Sequence, residues 1–136
     1  MEDSPIDILN RLKKAIDDYE KIIDLTKIIL NEVRAYGDSN KIPLLSRRLS
    51  SILKELELVG SMASSKGLWP GNDTTVEYLN VFSRYIALVS IPYEKDLINE
   101  IKEKFIETNN TKRINELNEL LKIIDKVEEI YAKLVA

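Results

Sequence analysis

The chain has 136 residues, 20 of them basic and 23 acidic, with no histidine and no cysteine. It can therefore build neither Ser-His nor Cys-His nucleophilic systems, no zinc site on His or Cys, and no disulfide. A net charge of −3 does not by itself mark a polyanion partner.

Hydrophobic residues make up 44% and charged residues 32%, which suits one domain over 1–136 with a real core. Four Gly and four Pro stand against abundant Leu, Ile, Lys and Glu, so the expected class is all-α. Dense Lys and Glu with only two Met is also the usage of many heat-stable proteins. No apolar run reaches about 18 residues and no signal-peptide pattern opens the chain, so the expected location is cytoplasmic, away from membranes.

The first helix is expected to start at Ser4-Pro5, with Ser4 as cap and Asp7 as the capping-box acid. Leu9, Leu12, Ile16, Tyr19, Ile23, Thr26, Leu30 and Val33 then keep one 3-4 spacing, and Gly37 is placed to stop it. Leu25 and Ile28 fall outside that seam. Adjacent and flanked by Lys21, Asp24 and Glu32, they form a candidate protein interface, with a covering helix as the competing explanation.

Pro43 opens a second helix that runs to about Lys66, with Gly67 as its stop. Leu45, Leu49, Ile52, Leu56, Val59 and Ala63 line one seam, widened by Leu44, Leu53 and Met62, so this helix is expected to pack on two sides. Residues 68–73 form the irregular loop, and Thr74 with Glu77 forms a second capping box. A third helix covers about 75–90 with Leu79, Phe82, Ile86 and Val89 inward. Pro92 then breaks the chain into a fourth helix with Leu97, Ile98, Ile101 and Phe105 inward. Asn109-Asn110-Thr111 is a break and cap, followed by a fifth helix with Leu117, Leu121, Ile124, Val127, Tyr131 and Leu134 on one face. Short connections predict a compact antiparallel bundle of about five helices.

Carboxylates are the remaining reactive groups. Glu100 and Glu103, Glu116 and Glu119, and Asp125 and Glu128 resemble the paired acids that hold Mg²⁺ in all-α nucleotide pyrophosphatases. The two pairs on the fifth helix point about 180° apart, and lysines lie beside all three, so solvated faces with ion pairs are the simpler expectation. No metal, cofactor or catalytic residue is therefore assigned, and an enzyme is not expected.

The basic residues are less evenly spread. Residues 40–71 hold Lys41, Arg47, Arg48, Lys54 and Lys66 against Glu55 and Glu57, while the flanking segments are each acidic. Arg47 and Lys54 share the solvent face of the second helix, with Ser50, Ser61 and Ser65 nearby. Lys41, Arg47, Lys54 and Lys66 are thus candidate phosphate contacts, and Trp69 a candidate stacking residue. Arg48 lies nearer the seam and is expected to pair internally. The plain alternative is a solvated face with Trp69 folded over the bundle end. Tyr78 and Tyr85 beside Arg84 offer a further recognition face, or else half-buried core.

A long first helix, Lys41-Ile42-Pro43-Leu44-Leu45 opening the second, small residues towards its end, and the aromatic Tyr78-Leu79-Asn80-Val81-Phe82 resemble the small helical subunits of type III CRISPR effector complexes. The resemblance covers about residues 25–90. It implies a basic-faced bundle that stacks along a guide RNA and target backbone beside other subunits. The expected function is thus a non-enzymatic subunit of a nucleoprotein assembly, contacting RNA or DNA backbone through the second helix. A helical adaptor that binds only protein, or a homo-oligomer, is the alternative.

Overall fold

The computed structural model describes residues 4–67 and 74–134, with all their side chains except those of 64, 74–79, 133 and 134. Every regular element among the described residues is helical. Helix α1 spans Pro5–Tyr36. The Ser4 hydroxyl oxygen accepts the Asp7 N–H at 3.2 Å, and Gly37, at φ 82°, donates its N–H to the Val33 carbonyl. Only a residue tolerant of left-handed backbone ends a helix in that way at no steric cost. Helix α2 spans Ile42–Ser65.

Helices α3 (Thr74–Tyr85) and α4 (Ile91–Glu107) are joined by a π-helical turn, Ile86–Ser90, and the backbone stays helical throughout. The expected break at Pro92 does not occur. Proline lacks the N–H that would reach the Leu88 carbonyl, and its ring crowds that carbonyl. One extra residue in the preceding turn relieves the conflict, and Ile91 donates to the Ile86 carbonyl five residues back. Helix α5 (Thr111–Leu134) follows Asn109, at φ 55°, and Asn110, whose side-chain oxygen accepts the Arg113 N–H. The described residues thus form four helical rods, α1, α2, α3–α4 and α5, instead of about five separate helices.

The rods form a four-sided bundle in which α1 and α5 each pack against both α2 and α4. Neighbours in sequence are antiparallel, as short connections require. The other two sides are parallel, which departs from a uniformly antiparallel bundle. On one side Glu20 meets Ser90, Thr26 meets Glu94 and Arg34 meets Glu100. On the other, Asp38 meets Arg113, and Pro43 and Ser46 share a groove with Glu116 and Glu119. Tyr19 and Tyr131 bridge the diagonal, with ring centroids 6.3 Å apart and planes at 83°, a favourable edge-to-face contact.

The seams of α1 and α2 lie in the core as expected, except that Leu9 is half-buried and Ile8 takes its place, with Ile22 and Ile29 added. Two expectations on the third rod do not hold. Val89 and Phe82 lie at the surface, while Ser83, Ile86 and Ser90 face inward. Ser83, Ile86, Ser90 and Glu94 hold a 3-4-4 spacing in step with Ile98, Ile101 and Phe105, one residue out of phase with the expected 82 and 89. On α5, Leu120 is the buried residue and Leu121 only half-buried. No described helix is long and apolar enough to cross a membrane.

Helix α2 packs against α1 on one side and α5 on the other, so its mid-seam residues carry much of the core. Ile52→Ala and Leu56→Ala should each lower unfolding free energy by about 2–5 kcal/mol in chemical denaturation. Losses under about 1 kcal/mol at both positions would place α2 at the periphery.

Candidate nucleic-acid interface

Seven residues make nearly two helical turns, so Arg47 and Lys54 stand on one side of α2, about 10 Å apart along its axis. Both are exposed, as is Arg48, and none of the three forms an ion pair among the described residues. Arg48 is thus not the internal ion-pair partner expected from its place near the seam. It lines a groove between α1 and α2 with Asp18, Lys21, Ile22, Ser51 and Ile52. Exposed Ser51 adds a hydroxyl there, and Ser61 lies exposed further along. Ser65 is exposed too, but its hydroxyl donates to the Met62 carbonyl at 3.2 Å.

The groove continues past Arg11, Lys14 and Glu55. Its charges are partly matched. Arg11 Nε sits 2.9 Å from Glu55, and Asp18 lies between Lys14 at 2.9 Å and Lys21 at 3.6 Å. One carboxylate facing two ammonium groups leaves a positive surplus beside Arg48. Lys14 and Lys21 were not singled out as ligand contacts from sequence. The seven-residue spacing they share with Arg47 and Lys54 is the signal that α1 adds to this face.

Lys41 does not belong to it. Its ammonium is held by Glu32, which also accepts a 2.8 Å hydrogen bond from Ser39. Those donors, Lys41 first and Ser39 second, hold the Glu32 carboxyl below the usual carboxylate range. Lys41 staples the α1–α2 turn. Lys66 is exposed in the turn beyond α2, and Trp69 lies outside the described residues.

The two candidate interface residues of α1 separate. Leu25 is 7% exposed and belongs to the core, whereas Ile28 is 47% exposed. They cannot form one surface patch, because the α2 side of α1 covers Leu25 along with Ile22 and Ile29. A different apolar surface lies on the third rod, diagonally opposite α2, formed by Val81, Phe82, Tyr85, Leu88, Val89 and Tyr93, with Leu88 73% exposed. Tyr85 is thus a surface residue, beside exposed Arg84, and not half-buried core. The side chain of Tyr78 lies outside the described residues.

Five of the six paired carboxylates are engaged in ion pairs. Glu100 meets Arg34 at 2.7 Å, Glu116 meets Arg113, Glu119 meets Lys122, and Asp125 and Glu128 share Lys95. No group of three or more potential metal ligands assembles among the described residues. One acid stands apart and was missed from sequence. Glu94 is completely buried, and burial pushes its carboxyl up to about 7, against the downward pull of Thr26. Its signal was its register, since 94, 98, 101 and 105 continue one inward 4-3-4 spacing.

Compared with protein-family models, curated proteins and solved structures, the chain matches none.

The separation of Leu25 from Ile28 is directly measurable. Ile28→Glu should change unfolding free energy by about 0.5 kcal/mol or less, as surface substitutions do. Leu25→Glu should lower it by on the order of 3 kcal/mol or more, because an unpaired carboxylate enters the core. Equal effects in thermal melts would contradict the assignment.

Proposed function

We propose that the protein is a non-enzymatic helical subunit of a larger assembly that lays the outer face of α2 along a nucleic-acid backbone. The observation that carries this is the set of three exposed cations on α2, Arg47, Arg48 and Lys54, without internal acids to satisfy them. Cations left to solvent on one face of an otherwise acidic chain are available to phosphates. Lys14 and Lys21 extend the face across the groove onto α1. The contact is to sugar and phosphate, since nothing on this face is shaped to read base edges. The small subunit of a type III CRISPR effector complex is the specific version of this reading, resting on the resemblance over residues 25–90. A cytoplasmic location belongs to the same reading.

A second reading is an adaptor that binds protein alone. The apolar strip from Val81 to Tyr93 favours it, because contiguous exposed apolar side chains mark contact surfaces more than isolated ones do.

Titrating labelled single-stranded RNA and DNA at several salt concentrations separates the readings. The parent protein should bind with a steep salt dependence. Arg47→Ala with Lys54→Ala should weaken binding alike for all sequences and flatten the log–log slope by about 1.4 for single strands, at about 0.7 per phosphate contact. Unchanged binding, or none by the parent protein, removes the nucleic-acid reading.

A further inference from the structure

Glu94 sits in the first turn of α4, directly after the π turn, on the parallel seam with α1. It is wholly buried, and its Oε2 has no hydrogen-bond partner among the described residues. Its other oxygen lies 2.5 Å from Thr26 Oγ1, which is also 2.9 Å from the Ile22 carbonyl. The threonine hydroxyl has one proton and cannot serve both acceptors. A protonated carboxyl resolves this. It donates to Thr26, and Thr26 donates to Ile22. The Ile22 carbonyl also takes the Thr26 backbone N–H of α1, so it keeps a donor whichever way the hydroxyl turns, but an ionised carboxylate would still leave the wholly buried Oε2 without one.

No cation offsets that charge. From α1, Tyr19 is the ionisable neighbour, with Tyr131, Glu128 and Glu20 grouped around it. Glu20 itself holds the Ser90 hydroxyl at 3.0 Å. Lys27 of α1 lies over the Tyr93 ring, and Lys95 is turned to Asp125 and Glu128 of α5. The α3 rod contributes buried Ser83, while Arg84 points to solvent. Everything packed about the carboxyl is therefore apolar, hydroxylic or acidic.

We infer that Glu94 is a proton-held latch: in its neutral form it fastens the π turn and the start of α4 to α1, and its ionisation lets that segment open locally. The seam's other polar ties, Ser90 to Glu20 and Arg34 to Glu100, end on exposed acids, so the latch is the tie that depends on a single buried proton. The segment it releases carries Leu88, Val89 and Tyr93 of the apolar strip. Opening would add Ile86 and Ile91, now buried, to that surface.

The direction of the pH effect follows from linkage. The folded carboxyl holds its proton up to about pH 7, against an ordinary value of 4.5. Stability from the neutral latch is full below about pH 4.5 and is lost as pH rises towards and through about 7. Between pH 6 and pH 8 the opening equilibrium should rise about tenfold.

Amide hydrogen exchange, corrected for intrinsic rates, tests this on the full chain at pH 6 and pH 8. Protection over residues 86–98 should fall about tenfold in the wild type and stay level in Glu94→Gln, with α2 amides unresponsive in both. A ¹³C titration of the wild-type Glu94 carboxyl, which needs no variant, should give a midpoint near neutrality. An ordinary glutamate midpoint overturns the latch. So does a wild-type segment with no pH response, a Gln variant that keeps it, or an equal response in α2.

Discussion

Pro92 cannot donate a backbone hydrogen bond, and the rod that contains it must still be continuous to span the bundle. The π turn at Ile86–Ser90 meets both conditions by placing one spare residue just ahead of the proline. Much else depends on that residue. It carries the chain unbroken from α3 into α4, so the molecule closes with four rods. Glu94 lies in the core on the same register as Ile98, Ile101 and Phe105, while Val89 and Tyr93 face out and continue the surface strip begun by Val81 and Tyr85.

The bundle's parallel sides follow from pairing two antiparallel hairpins side by side, and they decide how function is distributed. Helices α2 and α4 sit on opposite corners. The unmatched cations of α2 therefore face away from the apolar strip of the third rod. On the function proposed above, such a separation would let the protein contact a charged strand and a protein neighbour at once. The acids are spread in the opposite manner. Glu32, Glu55, Glu100 and Glu128 are each engaged by a lysine or arginine, and they serve as ties between rods or across turns.

Local chemistry made much of this fold legible. Ser4, Gly37 and Asn110 announce their caps because few other residues satisfy a helix end so cheaply. The seams of α1 and α2 announce themselves because a uniform period survives for many turns. On the third rod the reading is out of register by one residue. Phe82 and Val89 looked inward only if Pro92 ended a regular helix. Leu25 looked exposed because a one-sided seam was assumed, whereas α1 is covered on two sides by α2 and α4. Lys41 looked available because its partner, Glu32, is nine residues away across a turn, outside any helical spacing. The α2 cations were legible as a local surplus. Their freedom from acid partners was not, since pairing across rods leaves no trace in a single sequence.

The inward register of the third rod through the π turn is the claim on which the rest stands, and thiol accessibility measures it residue by residue. The chain has no native cysteine, so single cysteines at 81–94 each report one position. The account predicts slow reaction with a thiol reagent at 83, 86, 90 and 94, and fast reaction at 81, 85, 88, 89 and 93. Protection at 82, 89 and 93, with 83, 90 and 94 reactive, would contradict it.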